Sequence, residues 1–299
     1  MLERIKSVPF IDESEAVKVK SVDGKITLQR TDRVIWACEK TAIEADDIDC
    51  YVEAEKFFAL IDEIKSLAQT TCLEVTLKNG AKYELPFLDV SWEAQEMPTE
   101  YEDTIAFKLT DLILCTLKNL IKPELQCIWI DQHGAVSCDF ISACVTSAVR
   151  ASRGFLLPPD VQELVDGRIC KVKVTEDKIF IAASDFDIVT SRPTEGEDQW
   201  YETIRSMTEG ANGFTNAEAL SIGLKRLVMF ADYVMFDGTK ATAGSNYEPF
   251  AFRNLENNQY EIERLSRILS TAKSITEQGG NLVMKNDSCM FLLSPMEEA

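Results

Sequence analysis

The strongest constraint on the fold is a short ribbon that returns along the chain. In LEVTLKNGAKYELPFLDV, residues 73–90, Leu73, Val75 and Leu77 alternate with polar residues, as do Ala81, Tyr83 and Leu85. That is the period of a strand with one apolar face. A two-residue Asn79-Gly80 loop would pair Lys78 with Ala81 and throw the two apolar sets onto opposite faces. A three-residue loop, Lys78-Asn79-Gly80 with Gly80 left-handed, pairs Leu77 with Ala81, Val75 with Tyr83 and Leu73 with Leu85, so all six share one face. Just upstream, YVEAEKFFALIDEIKSLAQ sets Phe57, Leu60, Ile61, Ile64 and Leu67 at helical spacing, which predicts a helix on the same core.

The same unit, helix then hairpin, is predicted twice more. In PPDVQELVDGRICKVKVTEDKIFIAAS, Pro158 and Pro159 open a short helix and Val172, Val174, Ile179 and Ile181 flank a Glu176-Asp177 turn. In YEIERLSRILSTAKSI and NLVMKNDSCMFLL, Ile262, Leu265, Leu269 and Ala272 share a helical face ahead of a turn at Asn286-Asp287. The turns at Asn79, Asp177 and Asn286 lie 98 and 109 residues apart. A second series, Asp23-Gly24, His133-Gly134 and Asp237-Gly238, sits between apolar β-like runs at intervals of 110 and 104 residues. Helices over FKLTDLILCTLKNLIKP and FTNAEALSIGLKRLVMFADY are predicted before the second and third of these turns. The expected fold is α+β, three pseudo-repeats with boundaries at 1–100, 101–210 and 211–299. The first repeat lacks its opening helix, because only 16 residues precede Val17 and Pro9 interrupts them.

Composition narrows the function. No stretch of the 299 residues approaches the uninterrupted apolar length of a membrane span, and MLERIKSVPFIDESEA has no apolar signal core, so a cytoplasmic protein without a membrane partner is expected. Nine cysteines with no C-x-x-C pair read as buried thiols. The single histidine, His133, reads as a turn residue. With no Walker-type loop, no metal-spaced His/Cys set and no base beside a nucleophile, neither an enzyme nor a cofactor or metal is expected. The carboxylate pairs Asp46-Asp47 and Glu297-Glu298 read as solvated charge in an acidic chain. A net charge of −19 disfavours nucleic-acid binding over the whole surface and leaves room only for a local basic face.

Several stretches together resemble the bacterial-type sliding clamp, the β subunit of the replicative DNA polymerase. VKVKSVDGKITLQRTDRVIWACE looks like the first-domain strand pair. YVEAEKFFALIDEIKSLAQTTCLEVTLKNGAKYELPFLDVSWEAQEMP is similar to the family's helix, hairpin and closing segment. IVTSRPTEGEDQWYETI resembles the second-domain strand and the linker that follows it, and CMFLLSPMEEA the last strand with its Pro-Met ending. The resemblance covers nearly the whole chain, through the order and spacing of loose motifs.

The resemblance implies a sliding-clamp (DNA clamp) fold, helices lining a central hole with β-sheets outside, in a ring-shaped homodimer that encircles double-stranded DNA without reading sequence. Its partners would be DNA polymerase, a clamp loader and other proteins bearing a clamp-binding motif. Candidate DNA contacts on the predicted helices are Lys56, Lys65, Lys118, Lys122, Lys225, Arg226, Arg264, Arg267 and Lys273, with Arg150 and Arg153 in a loop. The family also binds short partner peptides in an apolar pocket, whose lining carries over to Leu125, Ala143, Thr203, Ile204, Leu293, Pro295 and Met296. Here the chain departs from the family, for Asp-Gly-His-Arg-Leu is replaced by Asp139 to Ala143, DFISA, and the chain ends in two acids before Ala299. The divergence suggests a viral or mobile-element version. Two other readings are a clamp-fold interaction protein that closes no ring, a decoy or transcription tether, and an unrelated α+β enzyme.

Overall fold

The computed structural model describes residues 15–31, 34–93, 95–118, 122–194, 199–250 and 258–296. They form two compact units, Met1–Ile105 with Arg168–Arg192, and Ala106–Gly167 with Pro193–Ala299.

A four-strand half-sheet occurs three times. Strands β1 (Ala16–Val22), β2 (Lys25–Thr31), β3 (Ile35–Glu44) and β4 (Asp49–Glu53) lie in the order β4-β1-β2-β3. The order recurs as β12-β9-β10-β11, from β9 (Ile128–Asp131), β10 (Gly134–Cys138), β11 (Ser142–Thr146) and β12 (Phe155–Leu157). It recurs again as β20-β17-β18-β19, from β17 (Tyr233–Phe236), β18 (Lys240–Ala243), β19 (Asn246–Pro249) and β20 (Gln259–Glu261). The Asp-Gly and His-Gly turns predicted from the sequence all fall between the first and second strands of these halves. Asp23 and Gly24 have φ of +51° and +76°, the left-handed pair of a tight hairpin. At Gly134 a Cβ would stand 2.1 Å from the Thr146 carbonyl oxygen, so no side chain fits there.

A helix followed by a three-strand meander also occurs three times. Helix α1 (Ala54–Leu60) leads into β5 (Ile64–Gln69), β6 (Leu73–Leu77) and β7 (Lys82–Leu85). Helix α3 (Pro159–Val165) leads into β13 (Ile169–Val174), β14 (Lys178–Ala182) and β15 (Phe186–Ser191). Helix α6 (Ile262–Leu269) leads into β21 (Ser274–Gln278), β22 (Asn281–Lys285) and β23 (Cys289–Leu293). Helices α2 (Thr110–Ile113) and α5 (Glu218–Leu227), with the short strands β8 (Asp103–Ala106) and β16 (Thr215–Asn216), open the second and third half-sheets, and α4 (Trp200–Thr208) joins β15 to β16.

Two of the halves fuse with meanders. Antiparallel pairing of β3 with β15 makes the sheet β4-β1-β2-β3-β15-β14-β13-β8, and pairing of β11 with β23 makes β12-β9-β10-β11-β23-β22-β21-β16. The remaining half, β19-β18-β17-β20, and the remaining meander, β5-β6-β7, stand as separate sheets. The core of the first repeat shows why each half needs its helix: Val17, Val19, Ile26 and Leu28 on one sheet meet Leu73 and Val75 on the other, with Phe57 of α1 fully buried among them. Burying one such phenylalanine is worth about 1.5–3 kcal/mol. Eight of the nine cysteines are buried and all are free thiols.

The predicted hairpin register is the observed one: Leu73 pairs with Leu85, Val75 with Tyr83, the Leu77 amide donates to the Ala81 carbonyl at 2.8 Å, and Gly80 has φ +86°. Its shared face is only partly core, because Tyr83 on the edge strand β7 remains 46% exposed. The helix predicted through Gln69 ends sooner. A single 3-10 turn, Ile61–Glu63, follows α1, and Ile64 to Gln69 are strand β5. The pairing register shifts between Ile64 and Ser66, and such a bulge lets Ile64 and Leu67, three residues apart, face the same core as they would on a helix.

Among the described residues of the helix predicted over 107–122, a single turn, α2, is helical. Beyond it Cys115 and Thr116 donate to Leu112 and Ile113, three residues back, and the Leu117 amide pairs with the Leu125 carbonyl at 2.9 Å. Leu112 and Cys115 are buried with α2, whereas Leu117 packs into a different apolar cluster, so one straight helix cannot serve both. The turn at Asp177 is the first of its meander, whereas those at Asn79 and Asn286 are the second. The counterpart of those two is the β14–β15 turn at residues 183–185. The first repeat's opening helix, expected to be missing, concerns residues outside those described.

Candidate functional site

An apolar cluster lies on one face of the sheet where β11 meets β23. Leu125, Cys138, Ala143, Val283 and Leu292 are buried, and Leu117, Trp200, Ile204, Met207, Phe214 and Met290 pack against them half-buried. Helix α4 supplies Trp200, Ile204 and Met207, at positions i, i+4 and i+7, which is one helical stripe. The stripe can be read in QWYETIRSM, whereas the clamp resemblance implies only Thr203 and Ile204 there.

Helix α4 is pinned to the sheet beside the cluster. Tyr201 stacks on Trp129 with ring centroids 4.1 Å apart and planes at 10°. The Arg205 guanidinium donates to both Asp131 carboxylate oxygens at 2.7 and 2.8 Å, and Asp131 also accepts from Trp129 Nε1 at 2.8 Å and from the His133 amide at 2.7 Å. Burial works to raise the Asp131 pKa, but the hydrogen bonds from Arg205, Trp129 and His133 outweigh it and hold the carboxyl below its ordinary value. His133, the single histidine, is thus an exposed turn residue whose backbone, rather than its ring, contacts the acid.

Of the residues carried over for a peptide pocket, Leu125, Ala143 and Ile204 converge in this cluster. Thr203 is exposed on α4. Leu293 is fully buried but follows Leu292 on β23, so it faces the other side of the sheet. Pro295 is half-buried, and Met296 is 37% exposed, its amide donating to the Gln259 carbonyl at 2.8 Å.

The DFISA stretch is a tight turn between β10 and β11. The buried Asp139 carboxylate accepts from the amides of Ile141 and Ser142 and from the Ser142 hydroxyl, and Arg264 of α6 donates to its other oxygen. Arg264 also donates through Nε to Glu261 at 2.9 Å. Burial lowers the Arg264 pKa, but the Asp139 and Glu261 charges more than offset this and the guanidinium sits above its ordinary value. Phe140 at the tip has φ +78° and is 52% exposed. The Lys122 ammonium lies 5.5 Å from the centre of its ring.

The candidate cations fall into three settings. Lys56 on α1, Lys225 and Arg226 on α5, and Arg264 and Arg267 on α6 are helical as predicted. Lys65 is exposed on strand β5, Lys118 and Lys122 are exposed on the irregular stretch after α2, and Lys273 follows the end of α6. Arg150 and Arg153 are exposed in the loop between β11 and β12. Several are committed inside the chain: Lys56 to Glu53 at 2.5 Å, Arg226 to Glu248 at 2.7 Å, Lys273 to Asp287 at 2.5 Å, and Arg264 to Asp139 and Glu261. Lys65, Lys118, Lys122, Lys225 and Arg267 make no ion pair among the described residues. Among those residues no group of three or more His, Cys, Asp or Glu could hold a metal, and no helix is long and apolar enough to cross a membrane. Glu297 and Glu298 lie outside the described residues.

Large apolar side chains stay exposed at two places near the unfused sheets. Met229 and Phe230, just past the end of α5, are 71% and 60% exposed, and Tyr83 and Phe87 are exposed on and after edge strand β7.

The structure as a whole matches solved bacterial sliding clamps, and the chain has that fold. The DNA polymerase III beta subunit of Pseudomonas aeruginosa superposes with a TM-score of 0.77 at 13% identity, covering 99% of this chain and 96% of that one. The Helicobacter pylori beta clamp bound to a DNA ligase peptide gives 0.75 at 12%, with 99% and 96% covered, and the Borrelia burgdorferi beta subunit 0.74 at 13%, with 99% and 95%. No protein-family model matches the chain, and no curated protein sequence matches it. At these identities the likeness is one of fold.

Proposed function

We propose that the protein is a processivity clamp, a non-enzymatic ring that encircles duplex DNA and tethers a DNA polymerase to it after a clamp loader has opened it. The observation that carries the reading is the pair of unfused sheets. In each fused junction the third strand of a four-strand half meets the last strand of a meander, β3 with β15 and β11 with β23. By that rule β19 needs the equivalent of β7, and one chain offers one of each. Two copies, each lending β7 to the other's β19, complete both sheets, and exposed Tyr83, Met229 and Phe230 mark the surfaces such pairing would bury. The clamp resemblance adds that the first domain of one subunit meets the third domain of the other. The domain boundaries near residues 100 and 210 belong to this reading, as does a viral or mobile-element origin, for which the low identity to bacterial clamps speaks.

In a chain of charge −19, DNA would be held by the exposed cations on and near the helices, Lys225 and Arg267 foremost, while the acidic remainder repels it. The apolar cluster under α4 is the proposed seat of partner peptides, the class of ligand in the Helicobacter pylori complex. The decisive measurement is retention on nicked circular DNA, loaded with the cognate loader, before and after linearisation. A clamp stays on the circle and slides off the linear form. A protein that dissociates equally from both, and gives a polymerase no added product length on a primed circle, is instead the interaction protein that closes no ring.

A further inference from the structure

The turn that replaces the clamp's glycine-containing stretch points to what kind of peptide the cluster takes. Phe140 occupies left-handed backbone, φ +78°, a conformation that strains a side-chain-bearing residue and not glycine. The cost is sustained by a built support, the Asp139 carboxylate with its three donors inside the turn and Arg264 anchoring it from α6. What the support presents is a phenyl ring that is half exposed. A fully buried ring would repay the strain by packing, whereas this ring is half exposed, with the Lys122 ammonium 5.5 Å from its centre, and keeps an open part for contact with another molecule. Its position fits: the flanking Cys138 and Ala143 are members of the apolar cluster, and the Phe140 amide donates to Cys138 Sγ at 3.4 Å.

Charge completes the picture. Leu117 and Leu125 turn into the cluster while Lys118 and Lys122 beside them are exposed, and Lys122 stands against the Phe140 ring. Glu124 is the opposing charge on that stretch, while Asp139 and Glu261 share the Arg264 guanidinium. On a chain of net charge −19, an acidic segment is repelled elsewhere and needs such a local basic rim.

We infer that Phe140 and Lys122, with Lys118, form a specificity lip on the apolar cluster that selects a linear partner peptide bearing an aspartate or glutamate next to its apolar anchors. The lip rests on the cluster being a peptide site. The apolar anchors fill the space beside Ile204 and Leu125, a partner side chain lies on the Phe140 ring, and the acid meets Lys122.

The test is selection of a random-peptide phage library on the immobilised full-length protein, followed by anisotropy with the winning peptide and its Asp→Asn or Glu→Gln counterpart. Winners are expected to carry an acid within a few residues of an apolar pair, with the neutral counterpart binding roughly 10-fold weaker, one 1.4 kcal/mol step. Phe140→Ala should weaken binding by about 10-fold or more, as an interface aromatic does, and Lys122→Glu should erase the advantage of the acid. Phe140→Gly should lose the same affinity while melting no lower than the wild type, since glycine carries no left-handed strain; a ring kept only for packing would lower the melting temperature. Winners without acids, or binding indifferent to Phe140→Ala and Lys122→Glu, overturn the lip while leaving the cluster as a peptide site. If no peptide is enriched, or Ile204→Asp binds the winners as well as the wild type, the peptide site itself falls and the lip with it.

Discussion

The junction of β11 with β23 and the open edges of β19 and β7 are built from equivalent halves, yet their sequences differ in kind. At the junction, SACVT and CMFLL are buried on both faces but for the half-buried pair Val145 and Met290, because α2 lies on one side and α4 covers the other. That near-continuous apolar reading belongs to central strands. At the edges, KYEL keeps Lys82, Tyr83 and Glu84 exposed, and NYEP is four residues long and ends in Pro249. Short length, charge and proline are how sheets keep an edge from pairing indiscriminately. Tyr83 among these charges, and Met229 and Phe230 past α5, are out of character for an edge meant to stay in water. The difference teaches that the same half-sheet can be completed within the chain or left open, and that the choice is written on both faces of its joining strand.

The largest effect tests the closed side of this comparison. Phe291, fully buried in β23 opposite Cys144, should cost about 3–5 kcal/mol as Phe291→Ala, read as a lower denaturant midpoint. A loss under about 1 kcal/mol would mean the junction is not core. The open side should behave oppositely. With Leu77 and Ala81 hydrogen-bonded, ladder alternation turns the amide of Glu84 away from β6. Glu84→Pro should therefore weaken self-association by roughly 100-fold, about 2.7 kcal/mol, in sedimentation equilibrium, with monomer stability nearly unchanged. Equal self-association in the variant would show that β7 is not the joining edge. A smaller version of the same test is Phe230→Ser, which should loosen self-association by about 10-fold and leave the fold intact.

How much of this was legible followed the physics of each element. The Leu73 to Leu85 register could be read because only one loop length puts its apolar residues together. The α1 boundary could not, since the bulge at Ile64 to Ser66 gives a strand the three-residue spacing of a helix. The stretch after α2 misled because Leu112 and Leu117 belong to two burial faces that a sequence period merges into one. In the candidate site, Leu125, Ala143 and Ile204 came from resemblance, whereas the Trp200, Ile204, Met207 stripe stood in the sequence as helical spacing. The Arg264 to Asp139 pair spans 125 residues, and no local pattern announces such a partner. It removed Arg264 from the exposed cations and made Phe140 the feature of the turn.

The smallest effect probes what covers the fused sheet. Helix α4 is held there by Asp131, whose folded-state pKa lies below its ordinary 3.8 because Arg205, Trp129 and His133 donate to the ionised form against the cost of burial. The folded state thus binds this proton less readily than the unfolded chain does. The stabilisation is complete above pH 3.8 and is lost as pH falls below 3.8 through the lower folded value. Asp131→Asn should imitate the acid state at neutral pH, costing about 1.5 kcal/mol, the low end for hydrogen bonds to a charged group. Loosening of the Trp129 and Tyr201 stack reports the event as a change in tryptophan fluorescence. The wild type should show that change only under acid and the variant already at pH 7. If both traces superpose across the titration, Asp131 does not hold the helix, and α4 stays on the sheet through its apolar stripe alone.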